Sequence, residues 1–175
     1  MVTDYIVTIN IIRKVVSSLS VKNVILANID NTPTKHEKHE SYEFLKHLIV
    51  SNQAENQCTI AFMEIPPQKS AYPYHFHAAI TEVFYIIDGN GKIETPDGDK
   101  EVTKGDVIVF PQGKEGAHRI LNTSESEMLI YLDYDTTATA DVVSYPHSRK
   151  IGFIVDGQPD AIFESSNNVD YYKGE

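Results

Sequence analysis

The chain has 175 residues, 41% of them hydrophobic and 23% charged, which gives room for one globular domain of ordinary size with extensions. A formal net charge of −10, with no basic cluster to offset it, argues against a nucleic-acid partner and for a well-solvated acidic surface. The longest apolar runs, residues 83–87 and 128–132, fall far short of the roughly 20 residues that a membrane helix needs. The start, Met1-Val2-Thr3-Asp4-Tyr5, has no basic n-region, and Cys58 is the only cysteine. Both features predict a reducing, cytoplasmic setting without an internal disulfide, and the apolar run around Cys58 predicts a buried, inert thiol.

In residues 1–20, Ile6, Ile9, Ile11, Ile12, Val15 and Val16 can pack, and Ser17-Ser18 ends the segment. Residues 24–29 and 42–50 read as strands added to a sheet, although 42–50 also tolerates a helical reading. Residues 31–40 are polar and contain Pro33, so they read as a loop. His36 and His39 in that stretch lack the spacing of a helical zinc motif.

From about residue 57 to 135 the pattern is short strands separated by turns, which predicts an all-β sandwich or barrel. The expected strands are 59–65, 82–88, 92–95, 100–103, 106–110, 118–122 and 128–133. Gly89-Asn90-Gly91 and Asp97-Gly98 carry the residue types that tight hairpins need between such strands. The expected core residues are Ile60, Phe62, Phe84, Ile86, Val107, Val109, Ile120, Ile130 and Leu132. The stretch from about 136, rich in Thr, Ala, Ser and Asn, reads as a wrapping tail. The expected organisation is an N-terminal extension (1–50), a barrel with the site (51–135) and a C-terminal tail (136–175).

The chemistry concentrates in Tyr74-His75-Phe76-His77, followed by Glu82 and later by His118. On a strand, residues i and i+2 share a face, so His75 and His77 converge. The short step to Glu82 lets the next strand return a carboxylate beside them, and His118 opens another strand. Three imidazoles and one carboxylate suit one divalent transition ion: Fe, Mn, Ni, Zn or Cu. An octahedral ion so held keeps two open positions, as catalytic rather than structural sites do. Phe84, Ile86 and Ile120 share the inward face, giving an apolar pocket for a small organic molecule. Tyr72 and Tyr74 are candidates for its mouth. No general base stands out among Glu115, Asp133 and the tyrosines.

These residues carry a resemblance to the cupin family. Its first motif, H-x-H-(x)4-E-(x)6-G, is matched at His75, His77, Glu82 and Gly89. Its second, G-(x)5-P-x-G-…-H-(x)3-N, is matched at Gly105, Pro111, Gly113, His118 and Asn122. Lys69 stands where the family pattern usually has a glycine, and the loop from Lys114 to Ala117 is longer than that pattern. The resemblance implies a double-stranded β-helix, or jelly-roll, and carries the family's metal ligands onto His75, His77, Glu82 and His118. It also implies a homodimer and two alternative functions. One is a metalloenzyme of dioxygenase, decarboxylase or isomerase type; the other is a non-catalytic small-molecule or metal-binding module. The tail from Tyr145-Pro146 to Pro159 resembles a subgroup of single-domain cupins labelled sugar-phosphate isomerases. The basic residues near the site are only Lys69, Lys114 and Arg119.

Overall fold

A computed structural model describes residues 23–51, 56–155, 158–166 and 169–175. The packing expected of residues 1–20 lies outside them. Among the described residues the regular structure is β, with two single 3-10 turns, at Ile29–Asn31 and Lys114–Gly116. In chain order the strands are β1 (Thr34–His39), β2 (Tyr42–Val50), β3 (Cys58–Ile65), β4 (Phe76–His77), β5 (Glu82–Asp88), β6 (Asn90–Glu94), β7 (Lys100–Thr103), β8 (Val107–Phe110), β9 (Arg119–Asn122), β10 (Leu129–Thr136), β11 (Ala140–Tyr145), β12 (Lys150–Val155) and β13 (Gln158–Glu164).

They form three antiparallel sheets. The six-stranded sheet runs β1-β2-β3-β10-β5-β8, the three-stranded one β7-β6-β9, and the four-stranded one β13-β12-β11-β4. Neighbours in the six-stranded sheet, such as β3, β10 and β5, are far apart in sequence. That is the interleaving of a jelly-roll barrel, as the all-β reading expects. Inward residues from the first two sheets build one core, with Met63, Phe84, Ile86 and Tyr131 meeting Ile93, Val102 and Ile120.

The seven strands expected between 57 and 135 are present within a few residues. The flanks differ. Residues 24–29 are not a strand, and residues 34–39, expected as loop, form β1. Its side chains are mostly exposed, so no apolar alternation marks it. It is held instead by pairing with β2, from Thr34 opposite His47 to His39 opposite Tyr42. The stretch after residue 136 supplies β11, β12 and β13.

Parity is corrected on three strands. On β3 the buried set is Ala61, Met63 and Ile65, not Ile60 and Phe62, which are half-buried. On β10 Leu129 and Tyr131 face in, and Ile130 and Leu132 do not. Val107 and Val109 on β8 are 62% and 59% exposed. Both faces of these strands are apolar, so composition does not choose between them. The register does, because a one-residue slip exchanges every side chain between faces. Cys58 is half-buried rather than buried.

The motif residues that are not ligands shape the frame. Asn122 is fully buried and donates to the carbonyls of Ile65 and Glu127 while accepting from the Ser124 amide, which ties the β9–β10 turn to β3. At Gly89 the backbone has φ 86°, and a Cβ would stand 2.3 Å from the Met128 carbonyl oxygen. Only glycine fits there.

Candidate metal centre

Three strand segments converge near one end of the core. His75 and His118 face each other as a backbone-paired couple, each amide donating to the other's carbonyl at 3.0 and 2.8 Å. His77 follows on β4, which pairs with β11, and Glu82 opens β5. The Nε2 atoms of His75, His77 and His118 stand 3.8, 3.7 and 3.4 Å from Glu82 Oε2. All four residues singled out in the sequence are thus brought together around one small space.

The orientation of each ring is fixed from behind. His75 Nδ1 lies 2.8 Å from the Pro73 carbonyl, His118 Nδ1 2.9 Å from the Gly116 carbonyl, and His77 Nδ1 2.5 Å from Asp141 Oδ2. A carbonyl only accepts, so Nδ1 of His75 and of His118 carries the hydrogen, and the carboxylate draws the same tautomer at His77. Nε2 of each neutral ring is left with a lone pair aimed inward. Phe110 stacks on the His118 ring at 3.6 Å between centroids, locking it further.

Burial holds His75 well below the usual histidine range, reinforced by His118 and His77. Burial also takes His118 down to about 4, against the opposing effect of the Gly116 carbonyl. At His77 burial acts downward but is outweighed by the Asp141 hydrogen bond and the Glu82 charge, so its pKa is raised. Burial pushes Glu82 up to about 7, with His77 opposing. Two imidazoles and a carboxyl are therefore gathered where charge is disfavoured, beside a His77 that Asp141 and Glu82 draw toward its charged form, and His118 Nε2 is buried without a hydrogen-bond partner. Such a donor set, with an orphaned nitrogen lone pair, fits a divalent cation. Atoms of His75, His77 and Glu82 lie within 4.8 Å of one another, as ligands of a single ion must.

The cavity beside these residues has a volume of about 320 Å³. His75, His77 and Glu82 meet Lys46, Tyr72, Asp133, Asp135 and Tyr145 there, with Ile80, Val143 and Ile154 as its apolar side. Tyr72 lines the cavity as expected. Tyr74 does not; it stacks on His147, which also reaches Glu94 at 3.2 Å. Glu115 is exposed beside Lys114 and is no candidate base. Sequence reasoning missed Asp141, Lys46 and Tyr145. Asp141 carried no signal because it sits on a strand that was not foreseen. Lys46 had one, since it shares the face of Phe44 and Leu48 on β2.

No curated protein matches the chain in sequence. The family model for the cupin domain matches residues 61–134. Among solved structures, a protein described as a candidate sugar phosphate isomerase from Acidithiobacillus ferrooxidans is similar over 85% of this chain and 97% of its own, at 20% identity and a TM-score of 0.70. A sugar phosphate isomerase of the cupin superfamily from Silicibacter pomeroyi matches 85% of this chain and 98% of its own, at 12% identity and a TM-score of 0.70. A predicted oxalate decarboxylase from Thermotoga maritima matches 65% of this chain and all of its own, at 19% identity and a TM-score of 0.56. At these identities the structures share the fold. Residues 61–134 thus match the cupin domain, carried by an interleaved jelly-roll whose fold these structures share.

Proposed function

We propose that the protein is a metal-dependent enzyme acting on a small organic molecule, with one divalent transition ion (Fe, Mn, Ni, Zn or Cu) held by His75, His77, Glu82 and His118. The observation that carries this reading is the convergence of three inward Nε2 atoms on Glu82 Oε2 at 3.4–3.8 Å. When bound, the ion would supply Lewis-acid or redox chemistry at positions the protein does not fill. The chain's own residues shape that chemistry. Asp141 orients His77, the backbone carbonyls of Pro73 and Gly116 orient His75 and His118, and Ile80, Val143 and Ile154 keep one side of the pocket apolar. The isomerase and decarboxylase names of structural neighbours support a reaction on a small molecule.

Elemental analysis of protein purified without chelator tests the reading and should find about one ion per chain. Content near zero that added Fe, Mn, Ni or Zn does not restore would refute it. Binding requires Glu82 ionised and His77 neutral. Affinity should therefore fall as pH drops below about 7, where Glu82 takes up its proton.

Asp141→Asn should weaken metal binding by roughly 10–100-fold, because His77 loses the carboxylate that fixes its tautomer. Competition against a chelator of known affinity measures it, and an unchanged affinity would show that Asp141 is only a structural partner of the Ala79 amide.

We also propose a homodimer in a cytoplasmic setting. β8 is an edge strand that exposes Val107 and Val109, an apolar edge of the kind native proteins cover. The unpaired thiol of Cys58 fits a reducing compartment. Sedimentation at micromolar concentration should give twice the 19.7 kDa chain mass, and Val107→Lys with Val109→Lys should shift it to the monomer.

A further inference from the structure

One wall of the cavity carries two carboxyls beyond the four residues assigned to the ion, with oxygens within 4.8 Å of Glu82. Asp133 and Asp135 stand two residues apart on β10 and face the same way into the pocket. Asp133 is 96% buried, its Oδ2 lies 3.7 Å from Lys46 Nζ, and its Oδ1 has no hydrogen-bond partner. Asp135 Oδ1 is likewise buried and unpartnered. A buried acceptor left without a donor is costly, more so when it is charged, so such atoms mark where a donor is to come from. Lys46 cannot serve them all: its ammonium is already placed between Asp133 and the Tyr72 ring, 5.9 Å from the ring centroid.

We propose that Asp133 and Asp135, with Lys46 and Tyr72, form the subsite that recognises the substrate. Its ligand class is a neutral polyhydroxyl compound, a small sugar or polyol whose adjacent hydroxyls donate to the two carboxyls. The proposal rests on the reading of this cavity as the substrate pocket of a metal centre. A hydroxyl donates to one carboxylate and accepts from a neighbouring ammonium or phenol, so a pair of hydroxyls matches a wall in which Asp133, Asp135, Lys46 and Tyr72 lie side by side. At about 320 Å³ the cavity is at the small end of small-molecule sites, and its aliphatic side suits the C–H face of such a ligand.

The same wall disfavours a phosphate ester. A phosphate offers acceptors only and is normally met by arginines, several lysines or a helix N-terminus. Lys46 is the one lysine or arginine among the described lining residues, beside Glu82, Asp133 and Asp135. The cations that looked close in sequence are engaged elsewhere. Arg119 pairs with Glu94 at 2.8 Å, Lys69 donates to the Glu40 carbonyl at 2.8 Å, and Lys114 lies exposed beside Glu115. The structure thus points away from the phosphorylated sugars named for two of its structural neighbours.

The test is equilibrium binding to the Mn²⁺-loaded protein, by calorimetry and saturation-transfer NMR. The probes are neutral four- to six-carbon sugars and polyols together with their monophosphates. At least one neutral compound should bind, with its monophosphate at least 10-fold weaker. Asp133→Asn and Asp135→Asn should each weaken it at least 10-fold while keeping one Mn²⁺ per chain. Tyr72→Phe, which keeps the ring and its packing, serves where a carboxyl substitution impairs folding, and should weaken binding several-fold. The proposal is overturned if no neutral compound binds, if the phosphates bind more tightly than their parents, or if these variants bind like the wild type. Metal content measured on the same samples separates the two failures. Absence of Mn²⁺ from the wild type refutes the metal centre, whereas full occupancy with phosphate preferred refutes the subsite alone.

Discussion

Glu82→Ala and His77→Ala should each bind metal on the order of 100-fold more weakly than the wild type, about 3 kcal/mol, and should still fold. Glu82 is the carboxylate on which all three imidazole nitrogens converge, and His77 is one of the three. The fold does not hang on either. Each buried apolar side chain of the Met63, Phe84, Ile86 and Ile120 kind contributes roughly 1.5–3 kcal/mol, and the core holds many of them. A protein with such a core differs from a zinc finger, which has none and unfolds without its ion. Chelated wild type and both variants should therefore keep the β signature in circular dichroism and melt cooperatively. Added metal should stabilise the wild type only by mass action, about 2.7 kcal/mol at one hundred times its dissociation constant. The apo protein should even gain from losing the acid. Burial raises Glu82 from 4.5 to about 7, so at pH 8 the folded state holds a carboxylate it would rather protonate. For an acid raised in this way the stabilising contribution is full below about 4.5, shrinks between 4.5 and 7, and is gone above. Metal-free Glu82→Gln at pH 8 should thus melt no lower than metal-free wild type. Loss of cooperative melting on chelation would make the site a structural staple and remove the main support for an enzyme.

Gly116→Ala should destabilise the protein by on the order of 3 kcal/mol and weaken metal binding as well. A Cβ on Gly116 would stand 1.8 Å from the Pro111 carbonyl oxygen and 2.9 Å from its carbon. Both neighbours are backbone, so no side-chain rotation relieves the contact, and the 3-10 turn Lys114–Gly116 must move. That turn carries two of the rings. The Gly116 carbonyl holds His118 Nδ1 at 2.9 Å, and the Gly116 amide bonds to Gly113, whose own amide bonds to the His77 carbonyl at 2.8 Å. A displaced turn therefore loosens His118 directly and His77 through one further link. For a chain of this length the loss corresponds to roughly 6–12 °C in Tm. Gly98→Ala is the control: it lies at φ 102° in an open turn with nothing within 4 Å of the added Cβ, so only conformational strain of about 1 kcal/mol applies. Equal melting of the two variants would show that the turn yields freely and does not position the histidines.

The sequence alone determined the β character of residues 57–135, the order of its strands and the identity of Glu82 and the three histidines around it. Those features are local. Alternation over a few residues, glycines at turns and a His-x-His on one strand face are set by covalent geometry and by period two. The inward facing of Glu82, Phe84 and Ile86 followed from the same rule.

Only the tertiary structure decided the rest. Which face of β3, β8 and β10 points inward was settled by pairing between strands that are remote in sequence, because both faces offered apolar side chains. The polar edge strand β1 exists because β2 presents free backbone groups to it, a property that its own residues do not encode. Asp141 reaches His77 only because β11 pairs with β4, and Lys46 meets Asp133 only because β2 and β10 flank β3. The orienting and recognising groups of the site thus come from strands outside the two motifs. A motif can name the residues that would grip an ion. Long-range pairing places the carboxyls, the lysine and the tyrosines beside them, because those contacts join segments that share no local pattern.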